Sequence, residues 1–166
     1  MDKTYLDELV EYPVKALHAI GSEIAVLQLL SDNPDINEAS DEADDVYERY
    51  LFDYGYVDNT IEEAAAFICV EAECSGTSSY SIKDMRLYVT VYCHKRFMDL
   101  DVSKFPGIVG SRRDNLIRFA DKALNGSDIF GIGELKLASA RVIPAPAGFA
   151  ARELVYIVPE FTRKNR

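Results

Sequence analysis

Two runs of alternating side chains set the first constraint on this chain. In Phe67-Ile68-Cys69-Val70-Glu71-Ala72-Glu73-Cys74, residues Ile68, Val70, Ala72 and Cys74 share one face while Cys69, Glu71 and Glu73 share the other. In Leu87-Tyr88-Val89-Thr90-Val91-Tyr92-Cys93, residues Leu87, Val89, Val91 and Cys93 point one way. A period of two over such lengths predicts half-buried strands. Ser75-Gly76-Thr77-Ser78-Ser79 between them predicts a mobile loop, so the pair reads as a long antiparallel hairpin with a flexible connection. One face of that hairpin then needs an apolar layer to cover it.

The flanking segments supply helices. After a break at Tyr12-Pro13, residues Val14, Leu17, Ile20, Ile24, Leu27 and Leu30 recur at spacings of three and four, one apolar stripe that should pack on a sheet. Gly21 interrupts it, which predicts either one helix with a weak point or two short helices ending near Asn33-Pro34. A second helix is expected to start at Ser111, a capping residue with Asp114 in the capping-box position, and to carry Leu116, Phe119, Ala120, Ala123 and Leu124 to a left-handed stop at Asn125-Gly126. Leu135 to Ile143 and Glu153 to Val158, turned by Pro144 to Gly148, read as a closing hairpin. The expected fold is α+β, a mostly antiparallel sheet with helices packed on one face and a long central hairpin, in a single domain over residues 1–166. A basic tail, Phe161 to Arg166, ends it.

Between first helix and hairpin lies an acidic insertion or arm, about residues 35–63. Ser40-Asp41-Glu42 could open a short helix carrying Val46, Tyr47 and Tyr50 on one side, and Tyr50 to Val57 is dense enough in aromatics to suggest an exposed strand or arm. Tyrosines in such a stretch either form a protein interface or cap the edge of a core. The insertion also polarises the chain. Residues 1–65 hold 17 acidic and 3 basic groups, a net of −14, which leaves 28 − 17 = 11 acidic and 18 − 3 = 15 basic groups, a net of +4, in the remainder. Opposite signs on two halves can steer subunits together, and they argue against duplex binding, which wants one concentrated basic face. No run approaches the roughly 18 consecutive apolar residues that cross a bilayer, and the start of the chain lacks a secretory pattern, so no membrane and a cytoplasmic site of synthesis are expected.

The inventory for chemistry is thin. Cys69, Cys74 and Cys93 are an odd set without a Cys-x-x-Cys spacing, which indicates neither a disulfide framework nor zinc, and all three read as reduced thiols. The only histidines are His18 and His94. His94 adjoins Cys93, but neighbours on a strand point to opposite faces, so the dyad fails on geometry. Asp41, Glu42, Asp44 and Asp45 lack the alternating oxygens and central glycine of a calcium loop, and Gly131-Ile132-Gly133 follows a helix without opening another, unlike a phosphate loop. No catalytic residue, cofactor or metal is expected, and the chain reads as an assembling protein rather than an enzyme.

The ordered set resembles the phage tail terminator family, also called tail completion or tail-to-head joining proteins. The resemblance rests on Ala66-Phe67-Ile68-Cys69-Val70-Glu71, Leu87-Tyr88-Val89-Thr90-Val91-Tyr92 and Ala151-Arg152-Glu153-Leu154-Val155-Tyr156, set in the order helix, aromatic stretch, long hairpin, helix, closing hairpin. It implies a homo-oligomeric ring, a hexamer, seated on the tail tube at the virion neck and assembled in the bacterial cytoplasm. Its partners would be the tail tube protein and neck or connector proteins, with DNA passing through unbound. Tyr54, Tyr56, Ser78, Tyr80, Arg112 and Arg113 are the expected contact residues, and Asp41, Glu42, Asp44 and Asp45 are expected to face the lumen. Competing readings are another head-tail connector, such as a head-closure or adaptor protein, a binding module unrelated to phage, and a small enzyme.

Overall fold

Period-two alternation does build the centre of the molecule, over more residues than the pattern alone marks. The computed structural model describes residues 6–55, 63–79, 82–131 and 133–158, with side chains 76–79, 82 and 83 left aside. Strand β2 (Ala66–Ser79) pairs antiparallel with β3 (Ile82–His94), from Ala66 opposite Cys93 to Ser79 opposite Ile82. The serine-rich stretch is therefore strand, not the mobile loop its composition suggests. Register shifts between Cys74 and Thr77 and between Thr77 and Ser79 absorb the irregular residues, as bulges do.

Strand β5 (Phe149–Val158) pairs with the other side of β3, and β4 (Lys136–Ile143) pairs with β5, both antiparallel. A two-residue strand, β1 (Leu51–Phe52), adds parallel to β2, giving the order β1-β2-β3-β5-β4. The fold is α+β, a mostly antiparallel five-stranded sheet with helices α1 (Asp7–Gly21), α2 (Ile24–Ser31), α3 (Asp41–Tyr50) and α4 (Arg112–Leu124).

Ile68 and Val70 from β2, Met85, Leu87, Val89, Val91 and Cys93 from β3, and Leu154, Tyr156 and Val158 from β5 form one buried layer against the helices. Helix α1 lies on β2, and α4 lies on β3 and β5. Burying side chains of this size contributes about 1.5–3 kcal/mol each, so several together outweigh the roughly 3 kcal/mol that a proline costs inside a helix. That imbalance explains Pro13. It sits inside α1 and does not break it, buried beside Tyr12, Ala16, Leu17 and Ile20. The weak point at Gly21 is real: α1 and α2 are bent 82° apart. A β-carbon on Gly21 would stand 2.6 Å from the Tyr47 ring, so the bend is also where α3 comes closest. No single described helix is long and apolar enough to cross a membrane.

The acidic segment is not an arm over its described part. Ala43 and Val46 of α3 and Leu51 of β1 are buried in the main core, and Tyr47 and Tyr50 pack half-buried against it, completing an apolar stripe at spacings of three and four. Ile36, ahead of it, is buried too, and the Gln28 side chain donates to the Pro34 and Ile36 carbonyls at 2.8 and 3.0 Å. Residues 56–62, the rest of the expected arm, and the basic tail lie outside the described residues. Helix α4 begins as its sequence predicts. Ser111 Oγ accepts from the Asp114 amide at 3.1 Å, and Gly126 supplies the left-handed turn at φ 80°.

Cys69 and Cys93 are buried, and Cys74 is half-buried. Burial pushes the Cys93 thiol up to about 11, against the pull of Arg112 and Arg113, so it stays protonated and inert. Titration of the native protein with a thiol-reactive disulfide dye should accordingly modify Cys74 promptly and the other two only on unfolding; prompt reaction of all three would contradict this packing.

Candidate assembly surfaces

Helices cover one side of the sheet, and strand parity decides what the other side shows. From β2 it carries Phe67, Cys69, Glu71 and Glu73; from β3, Arg86, Tyr88, Thr90, Tyr92 and His94; from β5, Phe149, Ala151, Glu153, Val155 and Ile157. At one end, Ala65, Phe67 and Phe149 form a small second core with Tyr50, Phe52, Tyr92 and Ala145 packed on it. Its rings sit at tilted angles, with Phe67 centred 6.0 Å from Phe52 and 6.1 Å from Phe149.

Further along, polar cross-strand pairs replace rings. Tyr88 Oη donates to Glu73 at 2.5 Å, and this hydrogen bond, then burial, holds the phenol above its ordinary value. Arg141 donates twice to Glu153, at 2.6 and 2.9 Å, while Thr90 Oγ1 donates to the second oxygen of the same carboxylate at 3.5 Å. These contacts form a ladder that stabilises the face. His94 closes the row: its Nδ1 accepts from the Arg96 amide at 3.2 Å and its ring stands edge-on to Phe149. Cys93 points into the helix-side core, so the two side chains do lie on opposite faces.

Among the described residues, both edges of the sheet are open over most of their length. Strand β4 pairs on one side only, and seven of its eight residues are exposed, Val142 at 65%. At the opposite edge β1 pairs with β2 only at Ile68 and Cys69. The chain continues beside β2 to Gly55, where a β-carbon would meet the Glu71 carboxylate. Among the described residues none pairs with the outer edge of β2 from residue 72 to its end. Among the described residues, pairing between β3 and β5 runs as far as Val158 opposite Met85. An unpaired strand edge presents a row of amide donors and carbonyl acceptors that a further strand can satisfy.

The expected contact residues are scattered over this framework. Tyr54 is 49% exposed just past β1, its ring against Phe52 at 5.4 Å. Ser78 lies far away near the end of β2, and Tyr56 and Tyr80 lie outside the described residues. Arg112 is a correction. It is 2% exposed, and its guanidinium donates to the Phe97 and Leu29 carbonyls and to Asp32 Oδ1 while stacking 3.8 Å from the Phe97 ring centre. A side chain so engaged presents nothing to a partner. The signal was in the spacing, since Arg112 stands in the same i, i+4 row as Leu116, Ala120 and Leu124, all fully buried. Arg113 is mostly covered and pairs with Asp114 at 3.0 Å, so it too is held within the molecule. Asp41, Glu42, Asp44 and Asp45 are all exposed on α3, beside β1. Alternation in the sequence placed Glu71 and Glu73 on the outward face, but that they lie near an open edge, and that Lys136 and Arg141 form the other edge, escaped it, because alternation shows which side chains leave a core and not which strand ends a sheet.

Fold and surfaces together define an α+β protein with, among the described residues, an unpaired strand stretch at each edge of its sheet. The chain belongs to the YomW family, whose sequence profile matches residues 24–158, and is thereby a phage-related protein. No curated protein matches it. Phage origin agrees with the resemblance and is coarser than a place at the neck.

Proposed function

We infer that this phage-related protein is a structural component of the particle neck, a tail terminator that assembles as a ring on the tail tube and joins tail to head, and that its work is assembly rather than catalysis. The observation that supports this most is that, among the described residues, the five-stranded sheet has unpaired stretches at both edges, β4 on one side and the distal half of β2 on the other. A subunit with two different adhesive edges makes head-to-side contacts, and such contacts close into rings when the rotation divides a circle. The exposed carboxylates of Asp41, Glu42, Asp44 and Asp45 suit a channel wall, since like charge lets DNA slide without sticking.

Negative-stain microscopy of the purified chain over a wide concentration range should show closed six-fold rings, and adding it to polymerising tail tubes should cap them at a defined length. Unchanged tube lengths together with binding to the portal complex would instead assign it to head closure. Rings that bind neither tube nor portal would remove it from the neck.

A further inference from the structure

We propose that successive subunits are joined by antiparallel pairing of β4 of one copy with the distal half of β2 of the next, making one continuous sheet around the ring; this rests on the ring reading above. Three features of the fold point to these two edges and to each other. The first is length and direction: β4 has eight residues, Lys136–Ile143, and among the described residues none pairs with the outer edge of β2 from residue 72 to 79, a stretch long enough to take most of it. Because β2, β3, β5 and β4 alternate in direction, β4 runs opposite to β2, so copies placed side by side in the same orientation bring the two edges together antiparallel.

The second is charge on the open face. Lys136 and Arg141 are the only charged residues of β4, and their register opposite Ile157 and Glu153 puts both on the side away from the helices. On β2 that same side carries the exposed Glu71 and Glu73. Joining β4 to β2 with like faces aligned sets Arg141 opposite Glu73. Joining β4 to β4 would set Lys136 and Arg141 against themselves, and β2 to β2 would oppose four carboxylates, so directly opposed like charges disfavour both two-fold dimers. The charges thus select the head-to-side contact over either self-pairing. The third is the helix-side face, where β4 exposes Leu137 and Val142, and β2 offers the half-buried Ala72 and Cys74 beyond the helices' full cover. Apolar therefore meets apolar on one face while base meets acid on the other.

Charge reversal tests this in the full-length chain, by light scattering and negative-stain microscopy with circular dichroism as the control for folding. Glu71→Lys/Glu73→Lys and Lys136→Glu/Arg141→Glu should each reduce assembly at least tenfold in apparent affinity. Mixed one to one, the two variants should assemble again, because each faulty edge of one finds its complement on the other, and the alternation admits only even-numbered rings. Arg141 also holds Glu153, so Val142→Lys, at an exposed position without an ion pair, provides a second route to the same loss. Wild-type rings that survive all three changes would overturn the pairing and leave the ring reading intact. Open filaments that are lost on reversal and regained on mixing would keep the pairing and overturn the ring. A wild-type chain that stays monomeric throughout would overturn the pairing, with Lys136 and Arg141 then merely guarding an edge; tube-length counts still judge the neck reading separately.

Discussion

Arg112→Ala should cost about 3–5 kcal/mol of folding stability, moving the urea midpoint down by roughly 2 M, although the residue touches no partner. The guanidinium fastens three segments that are remote in sequence: the end of α2 through the Leu29 carbonyl and Asp32, the turn after β3 through the Phe97 carbonyl, and α4 itself. Truncation leaves those carbonyls unsatisfied in a dry site, and it strips Asp32 of a partner while Lys104 remains. Arg112→Lys should not restore the loss, because one ammonium cannot span three acceptors in a planar fork or stack on Phe97 and Phe105.

The same site has a pH signature. Burial works to raise the Asp32 pKa, yet the hydrogen bonds and charges of Lys104 and Arg112 together outweigh it and hold the carboxyl below its ordinary 3.8. A depressed folded value gives stability that is fully present above the unfolded value and is lost as pH falls through the folded one. Wild type should therefore lose stability below about pH 4 faster than Arg112→Ala, and the gap between them should narrow there without closing. A gap independent of pH would mean that packing, not the ion pair, carries the effect.

Phe130→Ala is expected to be of similar size, about 3–5 kcal/mol, or roughly 6–20 °C in a thermal melt. The ring is 2% exposed and meets Tyr12 edge to face at 5.8 Å, which closes the turn after α4 onto α1. Phe130→Leu should recover part of the loss by refilling the volume without the edge contact. A change below about 1 kcal/mol for Phe130→Ala would show that this turn packs more loosely than its burial indicates.

Neither residue announces itself locally. Phe130 lies among Gly126, Ser127, Asp128 and Gly131, a composition that reads as turn, and Arg112 is one of two adjacent arginines at a helix start. Neighbours on a helix point about 100° apart, and Arg112 rather than Arg113 continues the row of Leu116, Ala120 and Leu124, but what an inward guanidinium would bind depends on the elements packed around it. Ser75 to Ser79 misled in the opposite sense: a serine-rich run is loop-like in isolation but remains strand when a partner strand continues beside it.

Short-range chemistry was legible wherever a pattern repeats. Alternation marked the faces of β2 and β3, three-and-four spacing marked the helices and the bend at Gly21, and Ser111 and Gly126 marked where α4 starts and stops. Those signals belong to one element each, and its own residues carry them. Sheet order, the edges left unpaired among the described residues, the placement of Lys136 and Arg141 on the same face as Glu71 and Glu73, and the partners of Arg112 are relations between elements far apart in the chain. Such relations are settled by which apolar faces can be buried together and by the hydrogen bonds a buried backbone must find, and both depend on the whole packed molecule.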